Sequence, residues 1–400
     1  MLAKPVGPIC NLDCEYCFYL DTKERYPGST FKMRDDVLEA YVESVLQAHV
    51  GPEITIAWQG GEPTLLGLDF FRRAIAAAEA MKRPGTVLTH TIQTNATLLT
   101  DEFAAFFAEV GMLVGVSIDG PAHLHDVYRL DRQGRGTHTR VVEGIRLLQR
   151  HGAEVNALVT INAANEHAPL EIYRHLRDDL GLRYLQLIPI VETDDAGVLL
   201  ETSVSASGWG RTLNAMFSEW FHHDVGSTFV SMFDAALAPL VGAPAGMCIF
   251  AETCGHAVAL EHNGDLFSCD HFVDDEHLLG NLLETPLTEM LTSPAQIAFG
   301  QAKASTLPDQ CRRCPVLDQC RGECPKNRHA SSVDGQAGLN VLCAGYYDFF
   351  TSTRPVLTVM AQHLLAGGYA DEVPAMVGNG AAEDPCPCGS GRSRALCPST

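Results

Sequence analysis

Hydrophobic and polar positions alternate along the first half of the chain with two different periods. From Met33 to His49 the apolar residues Val37, Leu38, Tyr41, Val42, Val45 and Leu46 recur at helical spacing. Ile54–Trp58 is a short β-rich run, and Phe70–Met81 is helical again. Val87–Gln93, Leu113–Ile118, Val155–Ile161 and Tyr184–Ile190 are further apolar runs of strand length. Helical segments at Asp101–Val110, Thr139–His151 and Glu166–Leu180 separate them. Strands apolar on both faces, alternating with helices, predict parallel βα units, about six in all. Such a series closes into a doubly wound sheet or a partial barrel. In a barrel, function belongs on the loops at the C-terminal strand ends.

The unusual polar residues fall at that end. Gln59-Gly60-Gly61-Glu62-Pro63 follows the strand ending at Trp58, and Thr94-Asn95 follows the next. Ser117 and Asp119-Gly120-Pro121 end the third run, with Arg129 in the loop beyond. Turn chemistry alone would scatter Gly and Asp over both ends, so the asymmetry predicts a shared site. Only nine residues precede Cys10, which predicts a short or incomplete first strand. The region from Thr202 to Val241 reads as helical, with Leu213, Met216, Phe217, Trp220 and Phe221 on one face. Core packing explains that face, and no chemistry is assigned to it.

Composition narrows the classes. A chain of 400 residues can bury a full core and leave room for a second domain. The formal charge of −21, with no Lys/Arg-rich run, argues against a nucleic-acid partner. No apolar run approaches the length of a membrane span, and the first residues lack a signal-peptide layout. The expectation is a cytoplasmic protein with no membrane partner. There, 14 cysteines in tight groups mean metal or cluster ligation rather than disulfides.

Cys10, Cys14 and Cys17 lie within eight residues near the N-terminus. Three thiolates on one loop suit a four-iron cluster with one iron left open, whereas zinc would want a fourth ligand nearby. A second set begins at Cys248, Cys254 and Cys269. Two strand-like runs around Asn263-Gly264 predict a hairpin with a two-residue turn, placing Cys269 at its far end. Cys311, Cys314, Cys320, Cys324 and Cys343 follow. These later eight cysteines divide into two sets of four. Two four-iron clusters and two zinc sites both fit that count.

The cysteine loop, with an aromatic before its last cysteine, resembles the signature of the radical S-adenosylmethionine (radical SAM) enzymes. Gly60-Gly61-Glu62-Pro63 after the second strand matches the same family. That resemblance implies a partial (β/α)6 barrel and a cluster on Cys10, Cys14 and Cys17. It also implies S-adenosylmethionine held by Tyr16, Gly60, Gly61, Glu62, Ser117, Arg129 and Val191. The order of the later cysteines is similar to the SPASM extension. It implies one auxiliary [4Fe-4S] cluster on Cys248, Cys254, Cys269 and Cys324, and another on Cys311, Cys314, Cys320 and Cys343. Three [4Fe-4S] clusters follow.

Within that group, several pieces resemble the anaerobic sulfatase-maturating enzymes. They are Cys-Asn-Leu-x-Cys-x-Tyr-Cys-Phe-Tyr, Gln-Gly-Gly-Glu-Pro-Thr, Gln-Thr-Asn, Ser-x-Asp-Gly-Pro, Cys269-Asp270 and Gly280-Asn281. The resemblance implies oxygen-independent oxidation of a cysteine or serine in an unfolded sulfatase segment to Cα-formylglycine. Asp270 would accept the proton, and Tyr19 and Gln59 would line the substrate pocket. A flavodoxin or ferredoxin would supply electrons. The alternatives are a maturase of another ribosomal peptide and a non-catalytic iron–sulfur or zinc adaptor.

The implied domains are a radical SAM core (1–200), a helical connection (201–245), a SPASM domain (246–350), a C-terminal helix (351–366) and a tail (367–400). The tail turns to Gly, Ala, Asp and Pro, which reads as a linker. It ends in Cys386, Cys388 and Cys397, similar to a SEC-C zinc motif in which Pro398 occupies the fourth ligand position. Zinc there would be weak and incomplete.

Overall fold

The computed structural model describes residues 1–194 and 196–378. The tail cysteines Cys386, Cys388 and Cys397 lie outside the described residues. In chain order the main strands are β1 (Leu2–Lys4), β2 (Glu53–Trp58), β3 (Val87–Thr94), β4 (Leu113–Ser117) and β5 (Val155–Ile161). They continue with β6 (Tyr184–Pro189), β7 (Phe229–Val230), β8 (Ala259–Glu261), β9 (Asp265–Phe267) and β10 (Leu278–Asn281). The chain forms two compact units. One holds Met1–Ile118, Ala122–Leu158 and Cys254–Ala302; the other holds Asp119–Pro121, Val159–Thr253 and the chain from Lys303 on.

In the first unit β1, β2, β3, β4 and the start of β5 are parallel neighbours, as the apolar runs predict. β1 is short, three residues, and has a neighbour on each side. β2 pairs with it through Leu2↔Ala57 and Ala3↔Trp58. On its other edge β8 runs parallel to it, with Lys4 opposite Glu261. β9 and β10 then extend the sheet antiparallel. The hairpin of the late cysteine region is therefore built onto the first strand of the barrel sheet.

The helices Asp35–Ala48, Leu68–Met81, Asp101–Glu109 and His138–His151 agree with the predicted segments. Their apolar faces meet in an aromatic core. Trp58, at the end of β2, stands edge-on to Tyr41 and Phe70 at 5.2 and 5.4 Å between ring centres. Phe71 continues the contact to Phe103 and Phe107. Each fully buried ring contributes on the order of 2–3 kcal/mol, which fixes the strand end that carries Gln59.

In the second unit β6 and β7 pair in parallel. The helix Ala206–His223 lies along Cys343–Leu365, with Trp209 against Tyr346 and Phe217 against Phe349. Gly210 lets the two backbones approach; a Cβ there would sit 2.9 Å from the Gly345 Cα.

Several expectations are corrected. The helix expected from Glu166 starts at Pro169, whose ring suits the first helical position. It ends in a wide turn closed by the Leu180 amide on the His175 carbonyl at 3.1 Å. The stretch from Thr202 to Val241 is not all helix. The Asp224 carbonyl accepts the Ser227 and Thr228 amides, Gly226 takes φ of 81°, and β7 intervenes before Ser231–Leu237. The hairpin turn holds three residues, His262 to Gly264, because Gly264 takes φ of 97° and the Glu261 carbonyl accepts its amide. The C-terminal helix starts at Cys343 rather than 351. The linker reading also gives way at its start. Ala370–Glu372 and Val373–Gly378 are helical, because Val373 and Val377 are buried and Glu372 is bound by His363 at 2.6 Å. No described helix is long and apolar enough to cross a membrane.

Candidate active site

The cysteine loop and the glycine loop after β2 are stitched together by backbone. The Gly61 amide donates to the Gly7 carbonyl and the Glu62 amide to Ile9, both at 2.8 Å. A Cβ on Gly61 would fall 2.0 Å from the Ile9 oxygen, so only glycine permits this approach. Gly60 takes φ of 119°, also a glycine conformation.

Glu62 is fully buried and tied down by its own neighbours. Oε1 accepts from the Thr64 amide and from the Thr64 and Thr94 hydroxyls, and Oε2 accepts from the Asn95 amide at 2.7 Å. Burial pushes its carboxyl above the ordinary value despite these bonds. Asn95 then reaches the Cys10 sulfur at 3.6 Å and the Asn11 side chain at 2.9 Å. Glu62 thus braces the cysteine loop from beneath.

Burial pushes the Cys10 thiol up to about 12, and Glu62, Cys14 and Cys17 act in the same direction. Three thiols close enough to feel one another, with none of the eleven described cysteines in a disulfide, fit a cluster that would hold them as thiolates. Asp131 closes the far side of the loop. It bridges to Leu12 and binds Arg135 and Arg140 at 2.8 and 2.9 Å. Tyr16 stands edge-on to Tyr128, with the Arg129 guanidinium 5.5 Å from its ring centre. The Ser117 hydroxyl accepts from the Gln93 amide at 3.0 Å. Tyr16, Gly60, Gly61, Glu62, Ser117 and Arg129 all belong to the first unit; Val191 belongs to the second.

The residues expected at the substrate pocket meet around a side chain that the sequence reading missed. Lys4, at the end of β1 and 3% exposed, places Nζ 3.6 Å from Asp270 Oδ2. The same ammonium donates to Gln59 Oε1 at 3.3 Å and lies 4.7 Å from the centre of the Tyr19 ring. One buried cation thus joins Asp270, Gln59 and Tyr19. Burial alone would raise the Asp270 carboxyl, but Lys4 and then His271 outweigh it, so the net shift is downward. The Tyr19 hydroxyl donates to Glu261 Oε1. A lone cation ending an otherwise apolar Leu-Ala-Lys strand, and a carboxylate ending Ala-Leu-Glu, were the signals available.

In the second unit Cys343 lies near Cys311, Cys314 and Cys320. Burial pushes Cys320 up to about 12 and Cys343 up to about 11, and Cys311 adds to both. Cys343 opens a 23-residue helix, whose N-terminal dipole favours a thiolate. Between Cys320 and Cys324, the residues Arg321, Gly322 and Glu323 all take positive φ, 51°, 71° and 51°. Their carbonyls accept from the Arg328 guanidinium at 3.0 to 3.3 Å. Of the other expected ligands, Cys254 and Cys269 lie in the first unit, and Cys248 and Cys324 in the second. Among the described residues no three His, Cys, Asp or Glu side chains close on one point as a single ion requires.

Residues 5–176 match the radical SAM superfamily, and residues 248–315 match the iron–sulfur cluster-binding SPASM domain. The chain is a radical SAM enzyme carrying a SPASM domain. A serine-type anaerobic sulfatase-maturating enzyme of Bacteroides thetaiotaomicron is 40% identical, covering 91% of this chain and 92% of that protein. A cysteine-type enzyme of Clostridium novyi is 30% identical, covering 91% and 97%. The solved structure of native anSMEcpe with bound AdoMet and a Cp18Cys peptide aligns with a TM-score of 0.81 at 28% identity, covering 91% and 98%. The chain belongs to the family of anaerobic sulfatase-maturating enzymes.

Proposed function

We propose that this chain oxidises the Cβ of a serine or cysteine in a sulfatase segment to Cα-formylglycine, without oxygen, in the cytoplasm. The observation that carries this reading is the meeting of Asp270, Gln59 and Tyr19 at Lys4. Activating an unreactive C–H bond is beyond any side chain. S-adenosylmethionine, reductively cleaved at a [4Fe-4S] cluster, supplies that chemistry when bound.

Cys10, Cys14 and Cys17 would hold the cluster. Tyr16, Gly60, Gly61, Glu62, Ser117, Arg129 and Val191 would hold the cofactor, Glu62 by shaping its loop, since its carboxylate is engaged by Thr64, Thr94 and Asn95. Tyr19 and Gln59 orient the substrate side chain. Asp270 accepts the proton of its hydroxyl or thiol. The SPASM clusters, when bound, would take the second electron or hold the shape of the pocket. Cys311, Cys314, Cys320 and Cys343 would ligate one of them, supported by the nearness of Cys343 to the other three. Cys248, Cys254, Cys269 and Cys324 are assigned to the other by the family resemblance alone. A flavodoxin or ferredoxin is the proposed electron donor.

The serine-type relatives share more of this sequence, 35–40% against 28–30% for cysteine-type ones, which favours serine. The test is anaerobic reconstitution with paired Ser-x-Pro-x-Arg and Cys-x-Pro-x-Arg peptides, read by mass spectrometry. An aldehyde product on the serine peptide is expected. Deoxyadenosine release without aldehyde on either peptide overturns the sulfatase reading and leaves another ribosomal peptide as substrate. Iron near twelve atoms per chain is expected for three clusters, about four for each.

A further inference from the structure

Behind Tyr19 lies a buried acid–base pair that the proposed reaction does not use. Glu261 is fully buried and His262 is 4% exposed. Glu261 Oε1 accepts the Tyr19 hydroxyl. Its other oxygen, Oε2, faces His262 Nδ1 at 3.6 Å, and neither atom has a hydrogen-bond partner among the described residues. On the far side of the ring, His262 Nε2 lies 2.6 Å from the Ser29 hydroxyl, which is half-buried. Ser29 Oγ also accepts the Phe31 amide at 3.0 Å.

With the ring proton on Nε2, Ser29 accepts twice and its own O–H is directed to solvent. Nδ1 and Oε2 are then two buried acceptors facing each other. That arrangement is unfavourable until a proton enters between them. The walls keep the path dry: the rings of Tyr26 and Phe31 pack on His262 at 5.1 and 5.0 Å between centres. Phe31 holds a left-handed φ of 51° to do so. Gly7 closes the remaining side, where a Cβ would meet the Phe31 ring at 2.9 Å.

We propose that Glu261, His262 and Ser29 form an outlet that carries protons from the Tyr19 pocket to the surface. This rests on the formylglycine reading, in which each turnover delivers one proton to Asp270. A pocket water takes that proton and passes one to the Tyr19 oxygen as the Tyr19 O–H gives its own to Glu261 Oε1. The carboxyl group then turns so that this same proton faces His262 and moves to Nδ1, the Nε2 proton moves to Ser29, and the Ser29 proton leaves to bulk water; the ring proton returns from Nδ1 to Nε2 before the next turnover. Every group accepts one proton and releases one, and no electrons change hands.

The test uses the full, cluster-loaded chain and a sulfatase-derived peptide, with formylglycine and deoxyadenosine measured together. In His262→Gln, kcat for formylglycine is expected to fall about tenfold, with the peptide KM kept. Added imidazole should restore part of it. In Glu261→Gln a similar loss is expected, without recovery by imidazole. Wild-type kcat in His262→Gln, or a loss accompanied by raised KM and indifferent to imidazole, overturns the outlet. If His262→Gln does not fold, wild-type enzyme in D2O decides. Slowing of formylglycine relative to deoxyadenosine is expected, and equal slowing of both overturns the proposal. Wild-type enzyme that releases deoxyadenosine but no formylglycine fails the underlying reading instead.

Discussion

The Lys4 ammonium and the Asp270 carboxylate lie 3.6 Å apart, one ending the first strand and the other following the hairpin. The pair sets two expectations. Asp270→Asn should keep deoxyadenosine release and lose formylglycine by about 10²-fold or more, since a positioned base is removed while the cofactor contacts stay. Lys4→Met should also cut formylglycine, because Asp270, Gln59 and Tyr19 lose their common partner. It should lower stability by about 3 kcal/mol, as the largely buried Asp270 carboxylate loses its main counter-charge. Product analysis and denaturation midpoints check both; full turnover in Asp270→Asn removes that residue from the mechanism.

Gly61→Ala tests the seam between the two loops. Its Cβ would fall 2.0 Å from a backbone oxygen, so the cysteine loop must move rather than a side chain. Iron per chain should drop by about four atoms, the content of one cluster. Unchanged iron would mean that the loops tolerate separation.

Acid should loosen the same loop. Hydrogen bonding from Arg135, partly opposed by burial, lowers the Asp131 carboxyl from 3.8 to about 2. A depressed folded-state value means that the clasp contributes stability above pH 4 and loses it as pH falls toward 2. Asp131→Asn should therefore flatten the acid side of the stability profile and leave the neutral side less stable. Parallel profiles for the two proteins would sink this.

Arg328→Lys removes a planar fork that serves three left-handed carbonyls. One ammonium cannot reach the same set. A loss of about 2 kcal/mol is expected, with reduced auxiliary iron and unchanged deoxyadenosine release. Calorimetry and iron analysis would expose the contrary case, a stable variant with full iron.

Much of this was legible in the sequence. The βα alternation follows from apolar runs such as Val155–Ile161, whose periodicity survives folding almost residue for residue. The glycine loop and the cysteine spacing are local signals, and they met in space as expected. Lys4 and Glu261 were not legible, because each looks like an ordinary strand-end charge until β8 is paired with β1. That pairing is a long-range event with no local signature. The break at Asp224–Thr228 was hidden for a similar reason: a helical stripe continues on both sides of it, and Gly226 is the sole local hint.

The position of β1 also has a consequence for synthesis. It is made before both of its neighbours, and one of them, Ala259–Glu261, follows long after. Until then the strand has β2 alone, and the edge bearing Lys4 lies open. The pocket where a radical would be released is thus completed only when the hairpin has been made. A nascent chain would therefore carry the cysteine loop before the β8 edge beside Lys4 exists.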